Sequence, residues 1–362
     1  MASLKIRRAR VVRVLGLARH QIGRLHRRMI PAPVAMMEMI TDAWAAQAIT
    51  AAAGLGIADA LADGPLPADE LAAAVGADAD ALSRLLRALT SRGIFRQRRD
   101  GRYDLTPLAD TLRSDADVSV GAFAQFVGSP LHREHWSHLT DAIRTGRAVI
   151  PELRGKPFFE YLADEPELAE IFNVAMTSAS EVTIASVTAA YDFSRYGTIV
   201  DVGGGHGRLL AAILNATPNA RGVLFDLPHV VAGAPAMFAE QHVEDRVRIV
   251  EGSFFDTIPD GGDAYVLKSV IHDWPDGDAA RILGNVRSAA GTGQYVLLVE
   301  SVIPGHNREF PAKWTDLEML VVAAARERTA ADYGRLLSSA GFRMTQVVET
   351  MSACSVVEAI AI

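Results

Sequence analysis

Five short apolar runs rich in β-branched residues constrain this chain more than any other feature: Thr198–Val202, Gly222–Asp226, Val247–Val250, Ala264–Leu267 and Tyr295–Glu300. Segments with helical spacing separate them. A strand–helix–strand unit returns the chain parallel to its first strand, and parallel sheets are covered by helices on both faces. Residues 191–362 are therefore expected to fold as a doubly wound, Rossmann-like α/β domain.

The region before it has a different texture. From Pro33 to about Gly128 the pattern is helical. Met36–Ala53 reads as one helix with Trp44 and Ile49 on its core face, and Leu66-Pro67-Ala68-Asp69-Glu70 opens another with Pro67 in the first turn. Leu82, Leu85, Leu86 and Leu89 stand at i, i+3, i+4 and i+7, one buried stripe of a helix that Gly93 ends. Asp100-Gly101 then signals a type I′ hairpin between Ile94–Arg96 and Arg102–Leu105. Helices followed by a hairpin describe a winged helix, placed at residues 31–115, behind a basic extension at 1–30. Residues 116–190 are helical again and carry Phe126, Trp136, Phe158 and Met176.

At 362 residues the chain suits two domains, and no apolar stretch approaches the ~20 residues a transmembrane segment needs. The single cysteine, Cys354, excludes a disulfide framework and a cysteine zinc site, and favours a reducing, cytoplasmic setting. None of the ten histidines forms a metal-binding pair, so no metal is expected, and His132, His135 and His138 read as a solvated helix face. Residues 1–28 hold nine Arg or Lys and no acid, although the whole chain sums to −7. Such a leader suits a transit peptide, a membrane or nucleic-acid contact, or an Arg-rich amphipathic helix.

Asp201-Val202-Gly203-Gly204-Gly205-His206-Gly207 follows the first strand and precedes a helix at Arg208. Glycines let the backbone turn sharply and approach a ligand at the carboxyl end of a strand. Alone, such a loop serves NAD, FAD, a phosphate or no ligand. Arg208 occupies the place where a dinucleotide fingerprint needs its last glycine, which favours a ligand without pyrophosphate. Asp226 ends the second strand, 23 residues after Gly203, where it can accept ribose hydroxyls or merely cap a turn. Ser253 and Phe254 follow the third strand and can bond and stack an adenine, or fill core.

These segments, together with Leu267-Lys268-Ser269-Val270-Ile271-His272-Asp273-Trp274 and Glu300, resemble the S-adenosylmethionine-dependent small-molecule O-methyltransferases. That family includes plant caffeic acid and acetylserotonin O-methyltransferases and bacterial polyketide-tailoring enzymes. The resemblance runs from about Pro33 to Ile362. It implies a class I methyltransferase domain behind a winged-helix dimerisation domain, a homodimer, and S-adenosylmethionine as cofactor. It implies cofactor contacts at Asp201, Gly203, Gly205, Asp226, Ser253, Phe254, Lys268 and Trp274. His272 is implied as the catalytic base, with Glu300 and Glu327 as carboxylates that orient it. Phe126, Trp136 and Met176 are the expected acceptor-pocket residues. Many relatives have Asp where Ser253 stands, and Ala323-Ala324-Ala325 replaces a longer loop of the plant enzymes.

The chemistry explains the residue types. Methyl transfer from a sulfonium is an in-line displacement that needs alignment and exclusion of water. A phenol, with a pKa near ~10, is a poor nucleophile until it loses its proton; an imidazole can take that proton, and a carboxylate on its other nitrogen fixes the tautomer. An apolar aromatic acceptor with a hydroxyl group is the expected small-molecule partner. Two other readings stand beside this one. The fold also serves nitrogen or carbon methylation and diverged reactions. Arg92, Arg96, Arg98, Arg99 and Arg102 could instead place a winged helix on DNA, although the acidic remainder of the chain argues against nucleic acid.

Overall fold

The computed structural model describes residues 2–305 and 307–362, with the side chains of residues 2–13 and 15 outside that description. The basic leader lies within one helix, Ala2–Arg28. Its reading as amphipathic depends partly on Lys5, Arg7, Arg8, Arg10 and Arg13, whose side chains lie outside the described residues. The chain divides into two compact units: Ile22–Thr140 with Leu153–Glu181, and Val182–Ile362 with Met1–Gln21 and Asp141–Glu152. Among the described residues no helix is long and apolar enough to cross a membrane.

The first unit is helical apart from one hairpin. Asp78 caps helix Ala79–Ser91 by accepting the Ala81 N–H at 2.8 Å, and the helix buries Leu82, Leu86 and Leu89 against Ile57, Leu61, Leu71 and Phe95. Strands β1 (Phe95–Gln97) and β2 (Tyr103–Leu105) pair antiparallel.

Four sequence expectations change here. Pro67 is the residue before helix Ala68–Val75 rather than part of its first turn. The hairpin is not type I′, because only Gly101 has a positive φ (+86°); the Gly101 N–H bonds the Arg98 carbonyl at 3.0 Å, which makes a longer loop closed by a left-handed glycine. Trp44 does not face the core: it is 75% exposed, as Met36, Met37 and Ile40 are exposed. Helix Ala32–Gly54 is apolar nearly all round, so its period does not select a buried face. Finally, His132 and His135 are buried, not solvated. Their three-residue spacing puts both on the inner face of helix Pro130–Ser137, His132 beside Phe126 (ring centroids 4.9 Å) and His135 edge-on to Tyr161 (5.7 Å).

The second unit holds one large sheet. Its strands are β3 (Thr198–Val202), β4 (Arg221–Asp226), β5 (Val247–Glu251), β6 (Ala264–Lys268), β7 (Tyr295–Ile303), β8 (Arg328–Thr329), β9 (Phe342–Glu349) and β10 (Cys354–Ala361). The order is β5-β4-β3-β6-β7-β10-β9, with β8 paired to β7. Strands β3 to β7 run parallel, while β10 is antiparallel to both of its neighbours. Alternate residues feed two cores: Val200, Val202 and Leu267 on one face with Ile282 and Leu283; Ile199, Leu224 and Val266 on the other with Leu210 and Ile213. The five runs read from sequence are β3 to β7. The antiparallel pair β9–β10 was not anticipated.

This topology positions the site. The chain steps from β3 outward to β5, then returns to lay β6 on the other side of β3. That reversal opens a crevice at the carboxyl ends of β3 and β6, where open α/β sheets bind ligands.

Candidate active site

The glycine loop leaves β3 at this crevice. Gly203 sits at φ +66°, and a Cβ there would approach the Val270 Cγ2 to 2.9 Å; Gly205 sits at φ +61° with open space beside it. A side chain at either position would be strained. The Asp226 carboxylate, at the end of β4, grips the loop. Its Oδ2 accepts the Gly205 N–H at 2.8 Å and its Oδ1 accepts the Leu227 N–H at 2.7 Å. Each oxygen keeps a second lone pair for a ligand hydroxyl. Asp201 lies beneath the loop, buried, and neither of its carboxylate oxygens has a hydrogen-bond partner among the described residues. Burial pushes its pKa up to about 7, against the pull of Lys268 at the end of β6.

After β5, the Ser253 hydroxyl accepts the Phe255 N–H at 3.2 Å and so shapes its own turn. The Phe254 carbonyl accepts from Asn285 at 2.9 Å, which anchors the segment to helix Asp276–Ala289. Trp274 packs edge-on against Phe255 at 4.7 Å and Phe254 at 6.0 Å. The three rings form one half-buried apolar wall.

His272 follows β6. Ser269 turns the chain at φ +53°, a conformation that costs a non-glycine residue about 1–2 kcal/mol, and a single 3-10 turn, Ile271–Asp273, carries the imidazole. Its Nδ1 lies 3.1 Å from Glu327 Oε1, and its Nε2 lies 3.3 Å from Asp273 Oδ1. Glu300, buried on β7, acts at one remove: its Oε1 accepts the backbone N–H groups of Val270 (3.1 Å) and Ile271 (2.8 Å). The two carboxylates expected to orient the base thus divide the work. Glu327 bonds the ring, and Glu300 holds the backbone that carries it.

Burial alone would lower the pKa of His272. The charge of Glu300, the hydrogen bond to Glu327 and the charge of Asp273 outweigh it, so the net shift is upward. Burial pushes Glu300 up to about 7, with His272 opposing the rise. His272, Glu300 and Glu327 bring ligand atoms within 4.8 Å of one another, a spacing that would also suit a cation. Glu327 Oε1 is engaged by the imidazole and Glu300 Oε1 by two peptide N–H groups, while Glu327 Oε2 has no hydrogen-bond partner among the described residues.

Sequence reasoning missed three members of this centre. Asp273 stood inside a motif already quoted. Asp316 accepts the Glu327 N–H at 2.9 Å. Arg328 is buried beside them. Nothing local signals Asp316, whose partner lies 11 residues away, and the contacts of Arg328 with the histidine turn and Asp276 span 52 to 57 residues.

The expected acceptor residues belong to the helical unit. Phe126 is buried between His132 and Phe172 (5.2 Å to the latter), Trp136 is half-buried 6.5 Å from His132, and Met176 is exposed on helix Pro166–Ala190.

Residues 136–343 match the model of the O-methyltransferase domain, and residues 37–115 match that of the O-methyltransferase dimerisation domain. The chain belongs to the O-methyltransferase family. It is 41% identical to the phenazine O-methyltransferase PhzM of Lysobacter antibioticus, over 91% of this chain and 96% of that one. It is 36% identical to the 8-amino-8-demethylriboflavin N,N-dimethyltransferase of Streptomyces davaonensis, over 85% and 89%. Its fold matches human N-acetylserotonin methyltransferase, solved in complex with S-adenosylmethionine, with a TM-score of 0.82, 30% identity, and coverage of 92% of this chain and 98% of that one.

The cofactor of this O-methyltransferase is S-adenosylmethionine. The residues present fit it. The donor carries an ammonium group, a sulfonium and two ribose hydroxyls, and the crevice offers a glycine loop without side chains, the free lone pairs of Asp226, and the negative charge of Asp201 beneath the loop.

Proposed function

We propose that this enzyme methylates a phenolic hydroxyl of a small aromatic or polycyclic molecule, with His272 as general base. The observation that carries this reading is the buried contact of His272 Nδ1 with Glu327 Oε1 at 3.1 Å. It leaves Nε2 as the nitrogen that faces other groups, with Asp273 Oδ1 3.3 Å from it. An acceptor hydroxyl takes the place of Asp273 at Nε2, gives up its proton and becomes the nucleophile. The carboxylates that raise the imidazole pKa make it a stronger base, nearer in strength to a phenolate, so the transfer is close to balanced.

The bound donor supplies an already activated methyl group. Gly203 and Gly205 leave room for it, Asp226 accepts its ribose hydroxyls, and Asp201 and Lys268 balance charge under the loop. Ser253, Phe254 and Trp274 hold its adenine. Phe126, Trp136 and Met176 line the acceptor pocket within residues 116–190, and residues 31–115 pair two copies of the chain.

His272→Ala tests the reading with labelled donor and a panel of phenols. The rate is expected to fall about 10²–10⁴-fold, and a variant that keeps more than about a tenth of the rate overturns the base. The riboflavin-type relative methylates nitrogen by name, which favours a second reading with an arylamine acceptor. Amino analogues in the same panel decide between them: turnover of the amines and none of the phenols replaces the first reading by the second.

A further inference from the structure

We infer that Arg328 is a positioning residue for the acid–base pair, acting through the backbone on both sides of His272. Its side chain is 1% exposed, and it belongs to a segment that meets the histidine turn three times. Arg328 Nη1 donates to the Ile271 carbonyl at 2.8 Å, and Nη2 donates to the Trp274 carbonyl at 2.9 Å. Between them, the Arg326 N–H donates to the carbonyl of His272 itself at 3.1 Å. Nε and Nη2 of Arg328 also grip Asp276 Oδ1, at 3.1 and 2.8 Å, at the start of helix Asp276–Ala289.

A planar guanidinium with its donors fixed in a fork can span two separated carbonyls and a carboxylate at once, whereas an ammonium gathers its three donors at a single nitrogen. Arg328 follows Glu327 directly in the chain. The residue that bonds the imidazole and the residue that clamps its turn are therefore one rigid step apart, and their spacing is set by a single peptide. Movement of Arg328 displaces Glu327 from Nδ1 and the turn from Glu300 together. Arg246 provides a contrast within the same unit: its Nη1 reaches the carbonyls of Leu214, Thr217, Pro218 and Ala220, but these close a loop remote in sequence from the histidine turn.

The inference rests on the reading of His272 as the base, and the experiment separates the two. Arg328→Lys and Arg246→Lys are compared in the full-length protein by thermal unfolding, by steady-state kinetics across pH, and by NMR titration of labelled histidine, with His272→Ala to assign the signal. Three carboxylates face His272: Glu300, Glu327 and Asp273. With Glu327 displaced, the Arg328→Lys imidazole is expected to titrate at lower pH than in the wild type. Its kcat is expected to fall about tenfold with the donor KM within twofold. Arg246→Lys is expected to lower Tm alone.

If Arg328→Lys also lowers only Tm, with the His272 titration and kcat unmoved, the residue is structural and the inference fails. If the titration moves but neither Arg328→Lys nor His272→Ala slows turnover, positioning stands and the base reading falls. Should Arg328→Lys not fold, Asp276→Asn loosens the same clamp from its exposed end. It is expected to move the titration in the same direction by a smaller amount, and no movement overturns the inference.

Discussion

The two sides of the crevice are built from different materials. On the β3–β4 side, peptide groups do the work: the Gly205 and Leu227 N–H groups converge on Asp226, and two left-handed glycines keep side chains away. On the β6–β7 side, charged side chains do it: one imidazole stands among three carboxylates, with a buried guanidinium beside them. The first side is a mould, sensitive to shape. The second is a charge balance, sensitive to protonation. Donor affinity and acid–base chemistry should therefore fail separately.

The largest expected effect comes from Glu327→Gln, which keeps the shape of the ring contact and removes its charge. A cation loses an anionic partner, so the pKa of His272 falls. If His272 is the base, wild-type kcat/KM is expected to rise with pH as the imidazole sheds its proton, along a limb above the ordinary ~6.5 of histidine. In the variant that limb moves to lower pH, while the plateau drops about a hundredfold and donor Kd stays within twofold. A pH–rate profile checks the first part and calorimetry with S-adenosylmethionine the second.

Gly203→Ala breaks the other side. It places a Cβ at 2.9 Å from Val270 Cγ2 in a left-handed backbone. A cost of about 1–3 kcal/mol corresponds to a donor Kd weaker by roughly ten- to a hundredfold, with the acid limb unmoved. A shift of that limb would mean that the two sides are coupled through Val270, whose N–H bonds Glu300.

The smallest expected effect belongs to Ser253→Ala. Its hydroxyl accepts one backbone N–H and shapes one turn. Loss of about 0.5–1 kcal/mol predicts a two- to fivefold weaker donor with kcat unchanged. A larger effect would show that the hold of Ser253 on the adenine outweighs the shaping of its turn.

Sequence legibility followed burial. Strands β3, β4, β6 and the first half of β7 are mostly buried and rich in β-branched residues, whereas β5 is read from its Val and Ile content although it is half-exposed. Strand β9 is half-exposed, and β10 carries Glu358 in its middle, buried and bonded to Tyr191, Thr345 and Gln346. Asp201 in β3 and Glu300 in β7 are buried acids as well, but each lies within a motif that marks its strand, and Glu358 has none. Trp44 was misplaced because its helix is apolar on several faces, and His132 and His135 because a three-residue spacing fixes a common face without saying which way it points. At the site, His272, Glu300 and Glu327 were legible from their motifs. The division of labour between the two glutamates was not, since it depends on which carboxylate meets a ring and which meets a peptide.

One feature of the sheet bears on how the protein is made. Strand β10 lies between β7 and β9, although it is the last of the three in the chain. While the ribosome is still producing residues 304–353, the outer edge of β7 has no neighbour to take its peptide groups, even though β3, β4 and β6 are already available. Unpaired edges of apolar strands recruit other chains, and nascent intermediates of large α/β proteins are vulnerable for that reason. In the finished sheet β10 takes that edge and β9 pairs with its other side. The helical unit, whose residues end at Glu181, faces no such wait. Yield in expression should therefore depend on temperature and chaperone supply through the late hairpin, not through the early helices.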